Sequence, residues 1–340
     1  SLDFWLTEGR FTDIFEKKFS EYLQIRHTIP VNSGSSANLL AFTALTSHKL
    51  KEKAIKKGDE IITVASGFPT TVNPIIQNNC VPVFLDCELG TYNIKVDDLE
   101  AALSKKTRAV MLAHTLGNPF NLDVIMNFCK ENDLFLIEDS CDALGSKYDG
   151  KFTGTYGDMG TYSFYPAHHI TMGEGGAVVT NSGVTNKILE SLRDWGRDCW
   201  CETGCDNTCK KRFGWKFDNL PYGYDHKYVY SSLGFNLKIT DMQAAVGLAQ
   251  MNKLNHFIDK RKKNYLYLKN KLQNLSNYFQ LPEAQAYADP SWFGFPLLIL
   301  DKKISRNKLI NFLEENNVKT RLIFAGNIMK QPYMKNQDFK

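Results

Sequence analysis

The sequence predicts an α/β protein in which a mostly parallel, doubly wound sheet is followed by a smaller C-terminal α+β domain. Three observations predict it. Short apolar runs of strand length alternate with stretches of helical spacing through residues 11–195. Polar residues follow several of these runs, at His114, Asp139 and Ser163, which suggests strand ends sharing one active-site edge. Beyond about residue 280 the pattern restarts with one apolar run and one helix.

The elements follow in order. Residues 11–25 carry Phe15, Phe19 and Tyr22 at helical spacing. A short strand ends at Val31, and Asn32-Ser33-Gly34-Ser35-Ser36 leads into a helix reaching about 48. A strand, a Gly/Ser turn and a helix start make an anion site, because free backbone N–H groups and the helix dipole face the ligand; a bare N-cap is the other reading. Strands are predicted at 61–64 and 81–85, with Phe68 in the connection between them and a short helix after it. A helix at 97–105, a strand at 109–113, a helix at 122–132 and a strand at 134–137 come next. Residues 161–176 read as a strand end, a polar loop with His168 and His169, and a glycine-rich turn. Residues 184–195 are predicted helical, and one long helix is predicted from about 239 to about 275. An apolar strand at 293–300 and a helix at 305–316 close the chain.

Composition narrows the function. The 340 residues are 43% hydrophobic and 23% charged, with a net charge of +4, an ordinary balance for a soluble globular chain. The basic run at 49–57 reads as a solvated helix end, so no nucleic-acid partner is expected. No apolar run reaches the length of a membrane span, and no signal peptide is read, so a cytoplasmic location is expected. The first residue is Ser1 and the last residues form no closing element, so both ends are expected to be cut.

Eight cysteines are present, and Cys199, Cys201, Cys205 and Cys209 fall within eleven residues. Without a secretory signal this density suggests metal rather than disulfides. Read locally, these four would be the ligand set. Cys80, Cys87 and Cys129 read as core or surface thiols. Asp139, at the end of a buried strand, needs a partner; a pyridinium nitrogen would supply one, and a helix N-cap is the alternative use.

Taken together, the anion loop at 33–37, Phe68, Asp139, Ser163 and the 173–176 turn resemble the DegT/StrS type of sugar-nucleotide aminotransferases, which are fold-type-I pyridoxal-phosphate enzymes. Gly234-Phe235-Asn236, Gln243-Ala244-Ala245 and Thr320-Arg321 extend the resemblance over nearly the whole chain. It implies that Gly34, Ser35, Ser36 and Ser163 hold a cofactor phosphate, that Phe68 stacks on the ring and that Asp139 pairs with the ring nitrogen. It also implies that Asn236 reaches the cofactor of a neighbouring subunit, hence a homodimer. Residues 1–248 then form a large cofactor-binding domain with a cysteine-cluster insertion at about 197–230, and 249–340 a linking helix and small C-terminal domain.

One departure carries information. His168 stands five residues after Ser163, where the family has its Schiff-base lysine. An imidazole cannot tether the cofactor aldehyde, so the cofactor is expected to be held non-covalently as pyridoxamine phosphate. A histidine remains a proton acceptor near neutral pH, so amino transfer is expected to give way to elimination. This replacement resembles two dehydratase branches: a cluster-free one acting on a GDP-sugar, and the iron–sulfur CDP-4-keto-6-deoxyglucose 3-dehydrase branch. Cys141, Cys199, Cys201 and Cys209 match the cluster spacing of the second branch. The resemblance thus implies a [2Fe–2S] cluster, a CDP-4-keto-6-deoxyhexose substrate and an NADH-dependent flavin/iron–sulfur reductase as electron source. Spacing alone fits zinc equally. In that branch Tyr165 and Asp142 lie near the cofactor and Phe293 near the substrate. Arg321 and Trp292 are further substrate candidates, with a surface salt bridge and packing as their alternative roles. A zinc-stapled, non-catalytic module on the same fold is the rival from outside the enzyme class.

Overall fold

The computed structural model describes residues 5–199, 201 and 205–340. Among them, nine α-helices and twelve strands occur in the order α1 (Arg10–Leu23), β1 (His27–Val31), α2 (Gly34–Ala44), β2 (Glu60–Val64), α3 (Pro69–Gln77), β3 (Val81–Leu85), α4 (Leu99–Ala102), β4 (Thr107–Ala113), α5 (Leu122–Glu131) and β5 (Phe135–Asp139). A small hairpin, β6 (Lys147–Tyr148) and β7 (Lys151–Phe152), precedes β8 (Met159–Ser163), β9 (Gly176–Thr180) and α6 (Gly183–Arg193). Then come α7 (Asp241–Met251), α8 (Leu254–Leu272), β10 (Phe279–Gln280), β11 (Ala288–Asp289), β12 (Leu298–Ile299) and α9 (Arg306–Glu315).

Seven strands form the main sheet in the order β1-β9-β8-β5-β4-β2-β3. Six of them run the same way; β9 pairs antiparallel with both β8 and β1. The sheet is buried on both faces, which is why β2, β8 and β9 are enclosed along their whole length and read as apolar runs rather than alternating ones. One core packs α2 and α6 on the sheet around Phe42, Ile61, Met111 and Leu189. A second packs Phe15 and Phe19 of α1 against Tyr162, Phe164 and Leu254. A third joins α5 to the sheet through Ile125, Phe128 and Val110.

Because β4, β5 and β8 are parallel neighbours, the predicted polar ends at 114, 139 and 163 do lie along one edge. His114 is there for structure. It is fully enclosed, stacks on Phe120 at 4.2 Å and takes the Phe120 amide on Nδ1, so Nε2 is left to donate to Glu138 at 3.0 Å.

Four features depart from the local reading. The strand β9 lies between the glycine turn and α6, where no strand is predicted. The helix predicted over 97–105 shrinks to α4, because Ser104 and Thr107 bond the backbone between them and turn the chain into β4. The long helix predicted from 239 breaks at Asn252 and Lys253. The break lets α7 lay Gly247 against Met172 and Phe15 while α8 turns Ile258 onto Gly145. The strand predicted at 293–300 pairs only over Leu298–Ile299. Pro296 lacks a donor, and the apolar residues before it are spent on packing: Trp292 stacks on Tyr265 at 4.0 Å.

Candidate active site

The site begins where β1 hands over to α2. Ser33 caps the helix by accepting the Ser36 amide, and the Ala37 amide returns to the Ser33 carbonyl. The Gly34 and Ser35 amides, at the start of the helix, are thereby left facing outward. The Ser36 hydroxyl donates to Asn32 at 2.6 Å. At Gly34 a Cβ would stand 2.7 Å from Ser163 Oγ, and at Gly176 one would strike the backbone of Ser33 and Gly34. Only glycine allows these three strand ends to approach so closely. The result is a cradle of free amides and hydroxyls at a helix N-terminus, which fits a phosphate.

Beside it, Asp139 is buried at 4% exposure. Its carboxylate accepts from Asn38 Nδ2 at 2.8 Å, Thr71 Oγ1 at 2.7 Å and the Cys141 amide at 3.1 Å. Asn38 is itself fixed by Thr161, which donates to its Oδ1 at 2.6 Å. All three donors are neutral, and no cationic side chain pairs with Asp139 among the described residues. A buried carboxylate left in this way has a place for a cation, which a pyridinium N–H fits. Phe68, half exposed, is the N-cap residue of α3, the helix that sends Thr71 to Asp139. The amide cradle and the uncompensated carboxylate, on adjoining strand ends, thus match the two ends of a pyridoxal-type cofactor.

His168 lies across the site from these groups. Its ring is 5.1 Å from that of Phe293 and 6.4 Å from that of Tyr165, and its Nδ1 is 3.4 Å from Asp142 Oδ1. Burial pulls its pKa down to about 4; the charge of Asp139 opposes this and that of Arg261 reinforces it. Burial, aided by Asp139 and resisted by Arg261, pushes Asp142 up to about 8. Near neutral pH the imidazole is therefore uncharged and able to take a proton. His169 points elsewhere. It is 2% exposed, its Nε2 donates to the Ser291 carbonyl at 2.7 Å, and burial brings it down to about 3.

Arg261, on α8, holds the loop together. Its guanidinium donates to the carbonyls of Ala167 and His168 at 3.4 and 3.2 Å and of Trp292 and Phe293 at 3.3 and 3.4 Å. Phe293 is held again by its amide, which donates to the Leu116 carbonyl at 2.8 Å. Asn38, Thr71 and Arg261 have no predicted role. Asn38 and Thr71 do leave a trace in the sequence, as polar residues on apolar helix faces. Arg261 leaves none in its Lys/Arg-rich helix.

Other predicted residues lie further out. Arg321 is exposed and donates to its neighbour Thr320 at 2.7 Å; no contact brings it to His168. Asn236 is exposed on a segment that bridges to Asp194 and precedes Leu237, whose carbonyl accepts the Asn32 amide at 2.9 Å. Among the described residues, the one group of three or more His, Cys, Asp or Glu ligand atoms close enough to share a metal ion does not include Cys141 or Cys209. Cys141 stays beside Asp139, Asp142 and Thr161, where burial and the Asp139 carboxylate hold its thiol well above its ordinary value. Cys199 and Cys201 instead group with His226. Asn38, in the second turn of α2, touches Asp139, and Lys49, beyond its C-terminus, pairs with Asp198 next to Cys199. Burial would raise Cys201, but hydrogen bonds from Thr208 and the Cys209 backbone outweigh it and bring the thiol down to about 6.

Comparison with known proteins gives the same picture. Residues 2–340 match the model of the DegT/DnrJ/EryC1/StrS aminotransferase family. The lipopolysaccharide biosynthesis protein RfbH of Salmonella typhimurium is 58% identical over all of this chain and 78% of its own length. The dTDP-4-dehydro-2,6-dideoxy-D-glucose 3-dehydratase of Saccharopolyspora spinosa is 54% identical over 98% of this chain and 72% of its own. The solved structure of E. coli GDP-4-keto-6-deoxy-D-mannose-3-dehydratase with bound hydrated PLP superposes with a TM-score of 0.87 at 32% identity, covering 98% of this chain and 83% of that one.

Proposed function

The chain belongs to the DegT/DnrJ/EryC1/StrS aminotransferase family, and from that premise we propose that it removes the C3 hydroxyl of a nucleotide-linked 4-keto-6-deoxyhexose, with His168 as the base. The observation that carries this reading is an uncharged histidine, beside Asp142 and Phe293, at the position where the family's aminotransferases have a lysine. Relatives named as 3-dehydratases support it.

Bound pyridoxamine phosphate supplies an amino group for the 4-keto carbon and a ring that accepts the electron pair released on proton loss. The chain's residues do the rest. The α2 amides and Ser163 anchor the phosphate end, and Asp139 holds a proton on the ring nitrogen. His168 Nδ1 faces Asp142, so Nε2 takes the substrate-side proton and can return it to the departing hydroxyl, which leaves as water. Phe293 flanks the imidazole, and Arg261 fixes the carbonyls on both sides of it. Asn236 is exposed next to Leu233, a residue 95% exposed, which supports a homodimer in which Asn236 serves the neighbouring site.

Within this reading the nucleotide is CDP, on the strength of the sequence resemblance. Net deoxygenation would draw electrons from a separate NADH-dependent flavin/iron–sulfur reductase, for which the cysteine spacing is the support. A second reading, dehydration with no cluster as in the GDP-sugar branch, is favoured by Cys199 and Cys201 grouping with His226. One experiment tests both. CDP-, dTDP- and GDP-linked 4-keto-6-deoxyhexoses are incubated with the chain and pyridoxamine phosphate, with and without dithionite, and products are followed by mass spectrometry. Conversion of the CDP-sugar to a 3-deoxy-4-keto product one oxygen lighter, its two electrons taken from dithionite or from the pyridoxamine carbon, lowered at least about 100-fold in His168→Asn with cofactor absorbance retained, is the expected result. Amino transfer instead of water loss would overturn the reading. A requirement for dithionite separates the reductive branch from the cluster-free one.

A further inference from the structure

A strained aromatic residue beyond α9 meets the aromatic ring expected to lie on the cofactor. Residues 323–326 form a turn closed by the Gly326 amide, which donates to the Ile323 carbonyl at 3.0 Å. The first central residue of that turn is Phe324, with a φ of 46°. This is the left-handed region, which costs a bulky side chain and which glycine enters freely. Glycine nevertheless stands only at 326. A phenylalanine kept in such a conformation points to a use for its ring. That ring meets the ring of Phe68 at 6.4 Å and 71°, a T-shaped contact. We propose that Phe324 is a positioning residue for the cofactor, holding the Phe68 ring in the orientation that stacks on the cofactor ring. The inference rests on the proposed reading, in which a cofactor fills the site with its ring on Phe68.

Phe68 needs such a partner. It ends the connection from β2 to α3, its side chain makes no helix cap, and it is half exposed. A ring free to turn gives up rotamer freedom each time a ligand stacks on it, whereas a ring already fixed has none left to lose. A T-shaped contact covers at most one face of Phe68 and leaves the other to a flat ligand ring.

The rest of the segment binds Phe324 to the same connection. The Ala325 amide donates to the Gly67 carbonyl at 3.3 Å, and the Ile328 amide to the Ala65 carbonyl at 2.9 Å. Gln331 Nε2 donates to the Ala325 carbonyl at 2.8 Å. Ile328 and Met334 are buried with Val72 of α3, which directly follows Thr71, a donor to Asp139. The loop that carries Phe68 and the helix that serves Asp139 are thus braced together by a segment distant in sequence.

The test measures cofactor binding without substrate, so its outcome is separate from that of the dehydration assay. Pyridoxamine phosphate is titrated into the full chain, and its Kd and the induced circular dichroism of the bound ring are recorded. The Kd is expected to rise about fivefold in Phe324→Leu, the scale of one aromatic pair, with a weaker dichroic band. Both should return in Phe324→Tyr and stay at the wild-type level in Leu322→Ala, which removes an exposed neighbour. Phe68→Ala should weaken binding at least as much, and adding Phe324→Leu to it should weaken binding no further, because the second ring then has nothing to hold. Losses that add in the double variant would show that Phe324→Leu only unsettles the turn, and would overturn the inference. So would wild-type binding in Phe324→Leu, with Phe68 keeping its stacking role. Wild-type binding in Phe68→Ala would instead remove that role, and the inference with it.

Discussion

At the scale of single residues, the two adjacent histidines show how context separates like side chains. His168 is half-buried and His169 buried, and both are shifted toward the neutral form, yet only His168 faces Asp142 and the cofactor side. His169 is a structural donor to Ser291. Its titration has a definite sign. Above about pH 6.5, the ordinary histidine value, it is neutral whether folded or unfolded and adds no pH dependence. Below that the unfolded chain binds a proton that the folded chain refuses until about pH 3, so folded stability drains away as the pH falls between the two. His169→Gln should keep the Ser291 hydrogen bond and flatten that acid limb. Urea denaturation at pH 7, 6, 5 and 4 measures it, and identical slopes in wild type and variant would refute the assignment. His168 was legible in the sequence because a motif serine fixes its position. Its companion Arg261, 93 residues away and in contact with its carbonyl, was not.

Among the elements, the helix ends carry much of the specification. Ser33, Asn121, Ser182 and Ser305 each cap the helix that follows, and Thr240 with Gln243 forms a capping box on α7. The start of α1 lacks a cap of its own. Asp241, from the first turn of α7, supplies one by accepting from the Thr12 amide at 2.9 Å and its hydroxyl at 3.1 Å. Asp241 is 1% exposed, so Asp241→Ala strips the buried Thr12 hydroxyl of its acceptor and leaves the Thr12 amide only the Gly9 carbonyl, at 3.0 Å. A loss of about 2 kcal/mol is expected, read from the denaturation midpoint, whereas Asp241→Asn, which keeps an acceptor, should recover part of it. Equal stability of the Ala variant and wild type would show that the two helices do not depend on this contact. The boundaries that sequence pattern misplaced follow the same logic. The α7–α8 break and the short β12 are set by what each segment packs against, and local periodicity does not record that.

For the whole molecule, the fold-type-I architecture gathers the site from strand ends and helix starts far apart in sequence. Asp139 draws its donors from positions 101 and 68 residues earlier, on α2 and α3. If Asn236 serves the neighbouring subunit, as proposed, two defective chains should complement each other. In a heterodimer of His168→Asn and Asn236→Ala, one of the two sites receives both native residues. Equal mixtures refolded together should regain activity in about a quarter of all sites, the proportion expected of a two-fold dimer. No recovery above that of the separate variants would place Asn236 in its own chain's site or outside any site.

The sequence by itself determined the alternation of strands and helices, the glycine- and serine-rich turn before α2, the place of His168 five residues after Ser163 and the concentration of cysteines, because each is a local period or a fixed spacing. Tertiary structure alone decided how Asp139 is held, what pins the histidine loop and which side chains meet at the cysteines. Those contacts close over long stretches of chain, where burial and hydrogen-bond geometry, not spacing, select the partner.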